Sequence, residues 1–186
     1  MMRTFVCFEL PDDVKDKLAA LLTEARKFHD LIRWTPPSNV HLTLKFLGET
    51  TDNQLEAVSA ALEKITRLHA PVNVTFDRLG VFPNFKTPRV FWVGVNETSN
   101  HLQELVSDLE IGFEDVGFEK ENRQYRPHLT LGRTKDRHIG ETLNFWRQHK
   151  IKPFTVRFPK IVLMESRLEL TGAVYTPLKK LQLRGK

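Results

Sequence analysis

Two copies of one tetrapeptide, His41-Leu42-Thr43-Leu44 and His128-Leu129-Thr130-Leu131, carry the residue types with the clearest chemical use in this 186-residue chain. An imidazole titrating near about 6.5 can take or give a proton around neutrality, and a threonine hydroxyl can donate to an anionic oxygen. Successive side chains of a strand leave opposite faces. His41 and Thr43 therefore share one face, roughly 6.5 to 7 Å apart, while Leu42 and Leu44 anchor the other. His128 and Thr130 repeat the arrangement. A single His-x-Thr reads as a structural histidine; the duplication is the signal. If the two faces oppose, two imidazoles and two hydroxyls converge on a centre suited to a tetrahedral phosphate ester. One histidine would take a proton from water and the other protonate the leaving alkoxide, with the threonines donating to non-bridging oxygens. The motifs are near copies, so the residues alone leave open which histidine plays which part.

The flanking sequence supplies strands and helices to position them. Thr4 to Leu10 reads as a buried strand, closed by Pro11 and followed by a helix with Val14, Leu18, Leu21 and Leu22 on one face and Asp12 and Asp13 where a cap is wanted. A Pro-rich loop, Trp34 to Asn39, leads into a strand from Val40 to Leu47 that Gly48 is expected to end. Helical spacing returns from Asp52 to Leu68. Strands are expected over Val72 to Leu79 and Arg89 to Val95, a helix from Asn100 to about Phe113, a short helix from Gly140 to His149, and strands near Phe154 to Glu165 and Ala173 to Leu183. Strands that follow one another directly argue for an α+β fold with antiparallel sheets. The repeated tetrapeptide suggests two related lobes, and no composition shift marks a linker.

The residues beside the motifs each carry two readings. By strand parity Lys45 shares the face of His41 and Thr43 and can meet a phosphate or stand as a solvated edge lysine. Phe46 and Arg133 each stand five residues after their histidine, where a phenyl face and a guanidinium plane can sandwich a nucleobase. Strict alternation puts Phe46 on the core face, so that role requires a bend before Gly48. Trp34 favours packing over RNA stacking. Arg126, before Pro127, either holds an extended approach to the second motif or neutralises phosphate. Arg123, Lys135 and Arg137 read as a solvated basic rim, and His29, His69, His101, His138 and His149 receive no role.

Composition bounds the alternatives. With 28 Lys+Arg against 23 Asp+Glu the net charge of +5 suits an anionic partner without identifying one. The lone Cys7 lies in an apolar run, so no internal disulfide forms and a reducing cytoplasm is expected. No export signal or membrane-spanning run is read. A zinc hydrolase would need a third ligand or a His-Glu-x-x-His cluster, and neither appears; phosphate-loop, dinucleotide-binding and Gly-x-Ser-x-Gly patterns are absent too. An RNA-end binding module without turnover stays as the reading from another class.

The segments His41 to Gly48, preceded by Arg33-Trp34, and Arg126 to Arg133 resemble the paired His-x-Thr-x motifs of the two-histidine phosphoesterases, and within them the RNA 2',3'-cyclic phosphodiesterases. The resemblance extends over essentially all of residues 1–186 and implies one bilobal α+β domain. Two pseudo-symmetric antiparallel-sheet lobes with outer helices would flank a central cleft, one motif per lobe at 41–44 and 128–131. It also implies hydrolysis of RNA or nucleoside 2',3'-cyclic phosphates to 2'-phosphates with no metal or other cofactor, His41 as proton donor and His128 as acceptor. A monomer is the expectation. 2'-5' RNA ligation, or action on a small cyclic nucleotide, are the sister activities.

Overall fold

The computed structural model describes residues 1–28, 31–135, 139–170 and 172–185. Among the described residues, ten strands and four α-helices follow the order β1 (Met2–Glu9), α1 (Asp12–Ala25), β2 (Arg33–Trp34), β3 (His41–Thr50), α2 (Asp52–Leu68), β4 (Val72–Phe76), β5 (Arg78–Phe82), β6 (Val90–Gly94), α3 (Asn100–Glu114), β7 (His128–Arg133), α4 (Gly140–Gln148), β8 (Phe154–Phe158), β9 (Lys160–Glu169) and β10 (Gly172–Gln182). Eight strands make one antiparallel sheet in the order β10-β9-β1-β3-β7-β6-β5, with β2 added along β7, while β4 and β8 pair separately. The architecture is α+β, as the succession of short strands requires.

The large sheet is two halves joined at one point. β10, β9, β1 and β3 form the first and β7, β6, β5 and β2 the second, and between β3 and β7 only Leu42 and Leu129 stand in register. These are the second residues of the two tetrapeptides. Both leucines are wholly buried, as are Leu131, Val6, Phe8, Phe91 and Val93 on the same covered face. Helices α2 and α3 pack behind the first half and α1 and α4 behind the second, contributing Val58, Leu62, Leu102, Leu105, Leu18, Leu22 and Trp146 to one core running under both. Burial of such side chains is the main stabilising term, about 1.5 to 3 kcal/mol each.

The fold corrects several sequence expectations. Asp12 and Asp13 lie inside the first turn of α1, paired with Lys15 and Lys17, and Pro11 stands at the cap without a side-chain bond. The segments Val72 to Leu79 and Phe154 to Glu165 are each two strands. Asp77 separates β4 from β5 and Pro159 separates β8 from β9, so that the chain leaves the two-stranded sheet for the large one. A proline between strands has no N–H for either ladder. Gly48 does not end its strand. With φ at 75° it takes a left-handed conformation open to glycine, and the ladder against β1 shifts register there and resumes to Thr50.

Candidate active site

Around the Leu42/Leu129 contact the motifs run antiparallel, so His41 lies toward Thr130 and Thr43 toward His128. Strand rise and spacing put the two histidine Cα atoms about 8 Å apart diagonally. All four side chains are part-buried, whereas the leucines between them are buried on the opposite face. The structure thus brings the two His-x-Thr pairs to one place from two halves of the sheet.

Each imidazole is held in the same way. His41 Nδ1 lies 2.9 Å from the carbonyl of Asn39 and His128 Nδ1 lies 2.7 Å from that of Arg126, in both cases two residues back. A carbonyl can only accept, so Nδ1 carries the hydrogen and the lone pair of the neutral ring sits on Nε2. Aromatic rings fix the planes. Phe5 stacks on His41 at 4.7 Å and Tyr175 meets it edge-on at 5.0 Å, while Phe82 meets His128 edge-on at 4.9 Å with Trp92 behind it. Burial pushes the His41 imidazole below its ordinary range, and the His128 charge adds to this against the opposing hydrogen bond to Asn39. Burial likewise lowers His128, with the positive charge of Arg133 acting in the same sense.

At the fourth residue of each tetrapeptide the strand bulges. Opposite β1, Cys7 faces Thr43 and Val6 faces Lys45, leaving Leu44 as the extra residue; opposite β6, Trp92 faces Thr130 and Phe91 faces Gly132, leaving Leu131 as the extra residue. A bulge puts two consecutive side chains on one side and then resumes alternation. Leu44 and Lys45 are accordingly both buried, as are Leu131 and Gly132, and Phe46 and Arg133 return exposed to the face of their histidines. The bend that Phe46 requires is this bulge.

The parity expectation for Lys45 is therefore corrected. Its side chain is on the covered side, where Nζ donates to Glu110 at 2.6 Å and to the carbonyl of Glu119 at 2.8 Å. Arg126 is exposed, and its carbonyl orients His128. Trp34 packs against Phe91 and Trp146. His69 pairs with Asp108 and stacks on His101, away from the two motif strands. Arg123 and Lys135 are exposed, as the rim reading has them; Arg137, His29 and His138 lie outside the described residues.

Residues that no local pattern marks complete the walls. Tyr175 enters from β10, its phenol raised by burial and drawn back by Arg133 and Arg3, so its hydroxyl stands within electrostatic reach of both. Asn39 Nδ2 donates to Ala173, tying the carbonyl that orients His41 to the strand that carries Tyr175. Tyr125 O–H donates to the Thr43 carbonyl at 2.8 Å and joins the approach to the second motif to the first. Tyr125→Phe removes this bond and leaves the carbonyl short of a partner, so unfolding in urea is expected to need about 1 to 2 kcal/mol less. An unchanged midpoint and slope would show that the bond contributes nothing.

Among the described residues no three His, Cys, Asp or Glu side chains are grouped as a bound metal ion requires. What the arrangement offers is two oriented imidazoles, two hydroxyls, and a cationic and a phenyl side chain at the ends of the motif strands.

A family model described as LigT like Phosphoesterase matches the chain twice, over residues 8–92 and 93–175. The RNA 2',3'-cyclic phosphodiesterase of Aquifex aeolicus is 33% identical over 157 residues, covering 82% of this chain and 82% of that protein. The protein of the same name from Thermus thermophilus is 33% identical over 196 aligned positions, covering 99% and 91%. Among solved structures, TT0787 of Thermus thermophilus superposes with a TM-score of 0.81 at 30% identity over 100% of both chains. Escherichia coli LigT complexed with 3'-AMP gives 0.77 at 25% identity over 98% of each. One motif strand falls in each matched segment, and the chain belongs to the LigT-like phosphoesterase family.

Proposed function

We propose that the chain hydrolyses 2',3'-cyclic phosphate ends of RNA, and the corresponding nucleosides, to 2'-phosphates by general acid–base catalysis between His41 and His128. The observation that carries this is the pair of imidazoles whose Nδ1–H groups are each bound to a backbone carbonyl, leaving two Nε2 atoms for the substrate. The names of the relatives support the same substrate class.

In the proposed reaction Nε2 of neutral His128 takes a proton from water as the water oxygen attacks phosphorus. The bond from phosphorus to O3' breaks on the opposite side, and Nε2–H of protonated His41 delivers its proton to O3'. The phosphate stays on O2'. The two histidines then differ from their starting states by one proton each and are reset through solvent. Thr43 and Thr130 donate to the non-bridging oxygens, and Phe46 and Arg133 hold the base between them. Arg133 beside His128 favours the neutral imidazole, which supports the acceptor role there. With a 5'-hydroxyl in place of water as the attacking oxygen, the same steps join a 2'-5' linkage.

Each half of the sheet supplies one histidine, so a monomer suffices, and we read residues 1–186 as one bilobal domain. Among the described residues no helix is long and apolar enough to cross a membrane. Buried reduced Cys7, its thiol pushed up by burial, suits a cytoplasmic protein.

Incubation with adenosine 2',3'-cyclic phosphate in excess EDTA tests the reading. The histidine route needs no Lewis acid, so turnover is expected to persist undiminished, and phosphorus NMR should show the 2'-phosphate alone. Loss of activity restored by one metal would overturn the mechanism, a 3'-phosphate would reverse the donor and acceptor roles or the ribose orientation, and tight binding without product would leave an RNA-end module.

A further inference from the structure

Arg33 of β2 stands directly opposite Arg133 of β7. Directly opposed side chains of an antiparallel pair leave the sheet on one face. Their neighbours fix which face it is. Trp34 lies over Gly132 so closely that a Cβ there would come within 2.6 Å of its ring, and it packs with Phe91 and Trp146 on the helix-covered side. Arg33 and Arg133 therefore emerge on the face of His128 and Thr130, both exposed.

Two like charges directly opposed are destabilising unless something neutralises them. Acids neutralise some of the other surface cations of this chain, as in Lys17 with Asp13 and Lys180 with Glu9. Neither guanidinium of the Arg33/Arg133 pair has an ion pair or side-chain hydrogen bond among the described residues. The charge of Arg133 is felt at both His128 and Tyr175, so the pair lies beside the residues around the two histidines.

We infer that Arg33 and Arg133 form a second anion subsite, which takes the phosphodiester on the 5' side of the terminal nucleotide and selects an RNA end over a cyclic mononucleotide. This rests on the hydrolytic reading above. A guanidinium stacks through its faces and donates through its edge, so Arg133 can cover the base and reach the phosphate together, while Arg33 supplies the second fork. The neutralising charge absent among the described residues is then brought by the substrate.

The test compares kcat/KM for adenosine 2',3'-cyclic phosphate, for the dinucleotide ApA ending in the same cyclic phosphate, and for that dinucleotide with an uncharged methylphosphonate linkage. In the wild-type chain the charged dinucleotide should exceed the uncharged one by about 10-fold, the factor for one charge-assisted contact at a wet site. Arg33→Ala should lower the dinucleotide-to-mononucleotide ratio by about 10-fold and lose the discrimination between charged and uncharged linkages. Arg33→Lys should restore part of both. The salt dependence for the charged dinucleotide should flatten by about 0.7 in logarithmic slope in Arg33→Ala. An unchanged ratio, or equal loss on charged and uncharged linkages, would overturn the subsite. If the wild-type chain opens neither cyclic phosphate, the hydrolytic reading has failed instead. The subsite is then judged from affinity for the corresponding 2'-phosphates, where a dinucleotide preference lost in Arg33→Ala supports it and an equal affinity overturns it.

Discussion

Replacing either His41 or His128 by alanine is expected to lower kcat by at least about 10²-fold, since each histidine performs one proton transfer in the transition state. Both rings sit on the open face of the sheet above a core built from leucines on the other, so melting should stay close to the parent. The double variant should be little worse than the weaker single one, because the pair acts as a unit. A sulfur in place of O3' separates the roles. A thiolate departs without a proton, its conjugate acid lying near about 8.5, so His41→Ala should recover to within about 10-fold of the parent on that substrate. His128→Ala should not. Recovery in the reverse order would exchange donor and acceptor, and near-normal turnover in a folded single variant would remove that residue from the mechanism.

The same pair sets the pH dependence. Burial lowers both imidazoles, so at neutral pH the neutral forms dominate: the base is ready and the protonated acid scarce. As pH falls the acid fills, until the base is protonated too. A plot of kcat/KM should therefore be a bell with its maximum below about 6.5, its limbs belonging to the coupled pair. A bound phosphate anion favours both protonated forms, so the kcat profile should lie at higher pH. Stability follows with the usual sign for a depressed group. It is fully present above the unfolded value near about 6.5 and is lost as pH falls through the lower folded values, where the buried rings must charge.

The repeated tetrapeptide was legible because its chemistry is local: one strand of alternating character presents the histidine and threonine wherever it is placed. The succession of strands and helices was legible from spacing for the same reason. The walls of the cleft were not. Phe5, Tyr175 and Phe82 reach the histidines from β1, β10 and β5, far away in sequence, and nothing in their own segments distinguishes a ring against an imidazole from a ring in a core. Nor does composition reveal a bulge. The extra residue at Leu44 is a property of how β3 pairs with β1, and it alone decides that Phe46 faces the cleft and Lys45 does not. The breaker signal failed at Gly48, where pairing overrode it inside β3, whereas Asp77 and Pro159 do break strands, each as a single residue inside a run whose composition reads as one continuous strand.

Lys45 offers the sharpest test of that reversal, because the two placements predict opposite outcomes. Lys45 and Glu110 are nearly enclosed, with side chains 4% and 16% exposed, and Glu110 also accepts from the Glu121 backbone N–H. Lys45 thereby ties α3 and the Glu119–Glu121 segment to the back of β3. Lys45→Met keeps the aliphatic volume but strands the carboxylate in a poorly solvated site, which should cost about 2 to 4 kcal/mol of stability. Adding Glu110→Gln removes the stranded charge and keeps an acceptor for Glu121, so most of that loss should return in the double variant. Urea unfolding of the two single variants and the double measures this directly. Turnover per folded molecule should stay within about 3-fold of the parent throughout, since no step of the proposed chemistry passes through a side chain on the covered face. A phosphate-binding lysine would give the opposite pattern, native melting with KM raised at least about 10-fold, and that pattern would return Lys45 to the cleft face where strict alternation puts it.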